Sequence, residues 1–477
     1  VALLRRRKMR PTKPLAVMVD LARASEIVHM PPSAASALKN PAAPIILLRK
    51  RGKTLPDNLA PHIDHLGLML PYTPLHHLLV RQMGGPLGMT SGNVSGEPQV
   101  IGNAEARTKL RDLVDGFVMH DREIMRRLDD SVERLTPQGP MILRRARGRV
   151  PETLPLPEGF EDAPQIVAFG AHLKSAICLI KNGQALLSHH LGDLDDALTW
   201  QEFLKADADY AARFDHAPRV FACDLHPSYR SSVHASARAG TARLIEVQHH
   251  HAHLAACLAE NGWSRSAGPV AGIILDGLGL GNDGTIWGGE LLLGDYQTME
   301  RAAWIEPVPL VGGEAAQREP WRNAGMRLDQ AGLSTDADQL FEDYPVALIR
   351  QAASAGLNAI ASSSAGRLFD AVAALLGICT AAQSYEGEAA LRLENLATQG
   401  SAAFDDPYPF AVKRSIISTK PMFVALMRDL SAGVSPECIA ARFHAGLAQV
   451  FADQARDLVQ RGKARAVALS GGCFQNA

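Results

Sequence analysis

Four prolines, Pro151, Pro155, Pro157 and Pro164, fall within fourteen residues, together with Gly159. Proline lacks a backbone donor and biases the residue before it away from helix. No helix or central strand runs through such a segment. The spacing therefore predicts a linker over residues 151–164, dividing the 477-residue chain into a unit at 1–150 and a larger one at 165–477. At roughly 150 residues per domain, the larger unit has room for two lobes.

Both units alternate short β-rich runs with helical stretches. In the first, residues 15–19, 45–49, 87–90, 117–119 and 141–143 read as strands, and 21–29 and 103–113 as helices. That alternation predicts an α/β domain. In the second, runs at 166–170, 175–180 and 185–189 are separated by turns, and 270–276, 285–287 and 290–293 recur in the same style further along. The repetition predicts an internal duplication. Helices are expected at 200–214, 250–260, 369–376 and 443–460.

The 49 basic and 50 acidic side chains leave a net charge of −1. Such balance argues against a generally basic nucleic-acid coat or membrane-surface protein, and neither partner is expected. The six cysteines, Cys178, Cys223, Cys257, Cys379, Cys438 and Cys473, form no CxxC pair, so no disulfide framework or Cys-type zinc finger is expected. The basic run at 5–8 is not followed by an apolar stretch of signal-peptide form, and no apolar run reaches the ~20 residues of a spanning helix. A cytoplasmic protein is expected. The apolar run at 464–470, followed by Gly471-Gly472, reads as a strand and turn, and predicts that further chain covers it beyond Ala477.

The strongest local signal is His249-His250-His251-Ala252-His253. On a helix His249 and His253 share one face a turn apart, which suits two nitrogen ligands on one divalent ion. The plainer alternative is a polar helix start. Four histidines in five residues, in a chain with seventeen, favour the metal. A His pair is incomplete and asks for a carboxylate from elsewhere.

Asp276 ends an apolar run and is followed by Gly277, Gly279, Gly281 and Gly284. Glycines let backbone N–H groups approach phosphate oxygens, and an Asp at a strand end holds a metal or its water. A glycine-rich hairpin explains the same residues equally well. Ser470-Gly471-Gly472 with Asn476 is a turn of the same kind, and Gly366-Arg367-Leu368-Phe369-Asp370 opens a helix after three serines. A helix start of that composition is an anion seat or ordinary Ser capping. Gly170-Ala171-His172-Leu173-Lys174-Ser175 adds a cation and donors. Three glycine turns at strand ends predict a nucleotide cleft better than any one of them does.

In the first unit Lys8-x-Arg10 precedes a strand, and the loop at 90–98 offers Thr90, Ser91, Asn93, Ser95 and two glycines, suited to a phosphate or adenylate. The alternatives are a solvated or RNA-binding basic face and plain turn chemistry. Basic clusters at 49–53 and 144–149 add Arg49 and Arg145. From the residues alone, the chain reads as a two-domain ATP-using enzyme with a histidine metal site.

Lys8-x-Arg10 with Ser91 and Asn93 resembles the nucleotide-site signature of the YrdC family. The second unit resembles the carbamoyltransferase form of the actin-like ATPase fold, shared with the tRNA threonylcarbamoyl-transfer enzyme and antibiotic O-carbamoyltransferases. Both in this order, with the histidine run, Arg318-Glu319-Pro320-Trp321-Arg322, Gly366-Arg367-Leu368-Phe369-Asp370-Ala371 and Tyr385-Glu386-Gly387-Glu388-Ala389-Ala390, closely resemble the HypF family of hydrogenase maturation carbamoyltransferases.

The resemblance implies a YrdC-like α/β domain followed by a two-lobed actin-like ATPase domain. It implies that carbamate, derived from carbamoyl phosphate, reacts with ATP to give carbamoyl-adenylate. The carbamoyl group then passes to the C-terminal cysteine of HypE, as precursor of the cyanide ligand of [NiFe] hydrogenase. It assigns catalysis to Lys8, Arg10, His172 and Lys174, and a metal to His249, His253 and Asp276. Nucleotide contacts fall on Arg49, Ser91, Asn93, Arg145, Gly277, Gly279, Gly366, Asp370, Gly471, Gly472 and Asn476. The expected cofactors are ATP, Mg2+ and one divalent ion, Zn or Fe. The alternatives are tRNA threonylcarbamoylation and small-molecule O-carbamoyl transfer. The family's acylphosphatase-like and Cys-rich zinc segments have no counterpart here. Carbamoyl-phosphate hydrolysis is therefore not expected, and the metal site is expected to lack a further Asp.

Overall fold

The computed structural model describes residues 1–94 and 96–476; Ser95 of the 90–98 loop and Ala477 lie outside the described residues. The chain forms two compact units. One comprises residues 1–155 and 161–246, the other 156–160 and 247–477.

The first unit holds two six-stranded sheets. One contains β1 (Ala16–Met18), β2 (Ile45–Arg49), β3 (His65–Met69), β4 (Leu87–Met89), β5 (Val132–Thr136) and β6 (Gly139–Arg144), in the order β4-β1-β3-β2-β5-β6. Val17, Ile46, Leu66 and Leu68 bury one face of it against Ala24, Ala34 and Leu38 of two short helices. The second sheet contains β7 (Thr153–Pro155), β8 (Ile166–Phe169), β9 (Ile177–Lys181), β10 (Gln184–Leu187), β11 (Val220–Asp224) and β12 (Arg243–Val247), ordered β12-β11-β8-β9-β10-β7. Part of the proline-rich segment is thus β7, an edge strand on β10, where a proline costs no central ladder bond. Phe203, fully buried on the helix Ala197–Arg213, packs with Val167, Phe169, Ile177 and Phe221 at this sheet's core.

The second unit carries β13 (Val270–Leu280), β14 (Ile286–Gly294), β15 (Met299–Ile305), β16 (Val308–Val311), β17 (Ala359–Ser362), β18 (Ala411–Lys413), β19 (Ile416–Ser418) and β20 (Val467–Ser470) in one sheet. Ile273, Leu275 and Leu291 of the sheet bury against Leu368, Val372, Phe423, Phe443 and Phe451 of the helices.

The duplication is visible as topology. In the first unit β8, β9 and β10 form an antiparallel meander, and β11 lies parallel to β8. In the second unit β13, β14 and β15 form the same meander, and β20 lies parallel to β13. The 170–176 loop between β8 and β9 therefore corresponds to the turn between β13 and β14.

Residues 117–119 are not a strand, a correction to the sequence expectation. Val118 is 77% exposed and lies in irregular chain, so β propensity alone found no sheet edge to pair with. No described helix is long and apolar enough to cross a membrane, and all six cysteines are free thiols.

Candidate metal and nucleotide centres

In the first unit a short helix, Ala2–Arg7, ends just before Lys8. Met9 follows in a left-handed conformation, φ 47°. That reversal directs the side chains on both sides of it, Lys8 and Arg10, to the end of β4. Lys8 Nζ donates to Ser91 O at 2.7 Å, Asn93 Oδ1 at 2.9 Å and Thr90 Oγ1 at 3.3 Å. Arg10 Nη1 reaches Thr90 Oγ1 at 3.3 Å, and Ser91 Oγ donates to Asn93 Oδ1 at 2.7 Å. These three oxygen acceptors are uncharged, and Lys8 is only 5% exposed. Burial, and behind it the charges of Arg10 and Lys13, lowers Lys8 to about 8. A cation so placed gains by meeting an anion. Arg49 instead pairs with Asp64 at 3.2 Å, and Arg145 faces Glu152 at 4.0 Å.

His172 and Lys174 lie in the loop between β8 and β9. His172 Nε2 meets Asp195 Oδ1 at 2.9 Å and its ring stacks on Tyr229. Lys174 is left-handed, φ 53°, a strained conformation for a residue with a side chain.

In the second unit the histidine run opens the helix His249–Glu260, with Gln248 as N-cap accepting from His251 N at 2.9 Å. His249 and His253 stand one turn apart as the spacing requires, ring centroids 5.0 Å from each other. His249 Nε2 lies 3.2 Å and His253 Nε2 3.5 Å from Asp276 Oδ2. Burial raises the Asp276 carboxyl, but the hydrogen bonds and charges of His249 and His253 outweigh it and hold it well below the usual range. His250, fully buried, is held well below its ordinary value, chiefly by burial.

Asp276 is aimed by a β-bulge. Leu275 pairs with Gly289 and Gly279 with Trp287, so β13 places residues 276–278 where β14 places only Gly288. Bulges of this kind re-aim side chains beside functional sites. Across the parallel pair, Ile274 aligns with Ser470, which brings Gly472 N to Asp276 Oδ1 at 2.9 Å.

The bends at Gly277, Gly366 and Gly471 gather here, whereas that at Gly170 lies in the first unit. A Cβ on Gly366 would stand 3.1 Å from Gly277 Cα, and one on Gly471 2.3 Å from Leu275 O. Ser364 donates to Gly277 O and caps the helix Ala365–Leu375 by accepting from Arg367 N at 3.0 Å. Capping and proximity to the bend are therefore one arrangement. Gly279 is occupied differently from Gly277: its position faces the histidine helix, where a Cβ would meet His250 Cε1 at 2.6 Å and His249 Cδ2 at 2.8 Å. Gly279→Ala is expected to cost about 1–3 kcal/mol and to displace His249, read as a lower denaturant midpoint together with weaker cobalt uptake.

Asp370 is enclosed by its neighbours. Its side chain is 1% exposed, and its carboxyl lies 2.7 Å from Arg367 Nε and accepts from Gln383 Nε2 at 3.0 Å. Burial pushes it up to about 6 against the pull of Arg367 and Gln383. These contacts brace the helix Ala365–Leu375 against the loop that carries Gln383. Asn476 Nδ2 donates to Ala390 O at 3.3 Å.

The donor set fits a divalent ion. One ligand atom each from His249, His253 and Asp276 lies within 4.8 Å of the others. Two imidazoles and a carboxylate form the combination that suits iron(II) or zinc.

Residues 1–146 match the family model described as telomere recombination, of the Sua5, YciO and YrdC group. Residues 161–260 match the HypF Kae1-like domain, and 272–477 match the second subdomain of the carbamoyltransferase Kae1-like domain. A crystal structure of full-length HypF in its phosphate- and nucleotide-bound form superposes on 100% of this chain with a TM-score of 0.92 at 35% identity, covering 74% of that chain. The chain belongs to the HypF carbamoyltransferase family. The carbamoyltransferase HypF of Rhodobacter capsulatus is 61% identical over 481 residues, covering 100% of this chain and 63% of the relative. A HypF homolog of Cupriavidus necator is 36% identical over 340 residues, covering 67% of this chain and 83% of the relative. The chain thus spans less than two thirds of the Rhodobacter capsulatus protein's length. HypF membership gives the fold its description: a YrdC-like domain followed by Kae1-like, actin-like lobes.

Several residues at these centres escaped the sequence reading. Gln248 carries no sequence signal, yet it caps the histidine helix, and Thr90, named only as a loop hydroxyl, accepts from Lys8 and Arg10. Gln383 joins three of the family motifs: its N bonds Arg318 O at 2.7 Å, its Nε2 bonds Asp370, and its Oε1 accepts from Ala389 N at 2.9 Å. Glu290 left one visible signal, a lone carboxylate inside an apolar run.

Proposed function

We propose that the chain performs the ATP-dependent carbamoyl activation and transfer of [NiFe] hydrogenase maturation. The observation that carries this reading is the presence, in one HypF-family chain, of a buried lysine seat for an anion and a separate His-His-Asp donor set. In the first unit a carbamate oxygen attacks the α-phosphorus of ATP held with Mg2+, pyrophosphate leaves, and carbamoyl-adenylate forms. Lys8 and Arg10 neutralise the charge that develops on the phosphate, with Ser91 and Asn93 holding the lysine in line. Arg49 and Arg145 are proposed as further nucleotide contacts that swing from their acidic partners. In the second unit the C-terminal thiolate of HypE attacks the carbamoyl carbon, giving the thiocarboxamide and AMP. The bends at Gly277, Gly366, Gly471 and Gly472 present backbone N–H groups to the adenylate phosphate, while His172 and Lys174, in the β8–β9 loop of the first unit, are proposed as catalytic groups there. A divalent ion, zinc or iron, held by His249, His253 and Asp276 would supply a Lewis acid there.

The functional division follows 1–150, the segment 151–164, and 165–477, in a cytoplasmic protein without a membrane or nucleic-acid partner. The likeness to HypF relatives along the whole of this chain favours this reading over tRNA threonylcarbamoylation and small-molecule O-carbamoyl transfer. The test supplies ATP, carbamoyl phosphate or carbamate, and HypE. Carbamate-dependent exchange of labelled pyrophosphate into ATP, followed by label on the terminal cysteine of HypE, is the expected outcome. Exchange indifferent to carbamate, with HypE unlabelled, would overturn it.

A further inference from the structure

We infer that Arg301 is a positioning residue for the bulge that carries Asp276. This inference rests on the proposed reading that His249, His253 and Asp276 hold a metal.

Arg301 lies on β15, one strand beyond β14. Its Nε donates to Glu290 Oε2 at 2.6 Å, and its Nη2 to Glu290 Oε1 at 3.2 Å and Ser363 Oγ at 3.0 Å. Its Nη1 reaches Asp283 Oδ2 at 3.3 Å. The guanidinium carbon stands 4.2 Å from the Trp287 ring centroid and 4.4 Å from that of Trp304. A planar cation contacts two aromatic rings while its edge makes a bidentate pair, which arginine does and lysine cannot.

Each partner borders the bulge from a different side. Glu290 is fully buried, and its Oε1 accepts from Gly288 N at 3.2 Å and Gly289 N at 3.3 Å. Gly288 is the residue opposite the bulge, with no room for a side chain: a Cβ there would stand 2.7 Å from Asp276 O. Ser363 bonds Glu290 and precedes Ser364, which donates to Gly277 O. Asp283 sits at the hairpin tip and accepts from Trp287 Nε1 at 3.0 Å, while Trp287 packs on His250 between the two ligand histidines. One cation therefore ties the strand opposite Asp276, the loop that holds Gly277, and the ring behind the histidine helix. An ion pair needed for strand pairing alone would be satisfied by Glu290. The additional ties to Ser363 and Asp283 fix the bulge.

The test titrates metal-free chain with Co2+ and follows its visible absorption, for wild type, Arg301→Lys and Asp283→Asn, each alone and with His253→Ala. Arg301→Lys should weaken cobalt binding about 10–100-fold, the usual cost of losing an outer support of a metal ligand, and shift the absorption bands. Asp283→Asn, on a half-exposed side chain, should act in the same direction to a smaller extent. It decides the question if Arg301→Lys does not fold. Both effects should be non-additive with His253→Ala, and carbamate-dependent pyrophosphate exchange should persist. Folded variants with wild-type affinity and spectrum, or losses fully additive with His253→Ala, would overturn the inference and leave the metal reading standing. Wild-type chain that takes up no cobalt would overturn both.

Discussion

Replacing Asp276 with Asn should weaken divalent-metal binding by roughly 10²–10³-fold, about 3–4 kcal/mol, the range for removing one partner of a buried charged group. The substitution keeps the shape of the side chain and its acceptor for Gly472 N, so the bulge and the β13–β20 pairing should persist. What it removes is the anionic oxygen that faces both histidines, at 3.2 and 3.5 Å. Titration with Co2+ or Zn2+ measures the loss, and pyrophosphate exchange measured alongside should be retained. Unchanged affinity would take Asp276 out of the ligand set.

Lys8→Met should reduce pyrophosphate exchange by about 10²–10³-fold, the usual penalty for deleting one donor aimed at developing charge. The effect should depend on pH with a definite sign. Lys8 carries its proton below about 8 and loses it above. Only the protonated form attracts phosphate, so nucleotide affinity should fall as pH rises through that value. A bound phosphate opposes the loss, raises the lysine again and takes up a proton on binding. Calorimetry in two buffers of different ionisation heat reads that uptake near pH 8 to 9, and Lys8→Met should abolish it. Lys8→Arg should move the fall to higher pH. An unmoved profile would assign the titration to another group.

The readings that succeeded from sequence were local ones. The pair His249 and His253 needed only helical periodicity, and the helix His249–Glu260 supplies it. The runs at 45–49 and 166–170 are legible because four apolar residues follow one another over a short span, and β2 and β8 fall on them. By contrast β3, at His65–Met69, went unread, since a histidine and a glycine interrupt an apolar stretch too short to show a period. Asp370 shows what a motif leaves unsaid. Its place in a motif marked it as a ligand contact, but the wall formed by Arg367 and Gln383 comes from packing around the helix. The glycine-rich run after Asp276 was left between hairpin and phosphate loop because it is a hairpin carrying a bulge, and a bulge is defined by two strands together.

Residue order alone therefore determined which chemical groups were on offer: imidazoles one turn apart, glycines at strand ends, and a cation beside a hydroxyl-rich loop. Tertiary structure decided which of them meet. Asp276 reaches Gly472 because β13 and β20 pair in parallel with Ile274 against Ser470, across 196 positions of chain. It reaches the histidines because β14 lets two extra residues of β13 bow outward. Both depend on registers between distant strands. Such registers are selected by the burial of whole sheet faces and leave no mark on any short stretch of sequence.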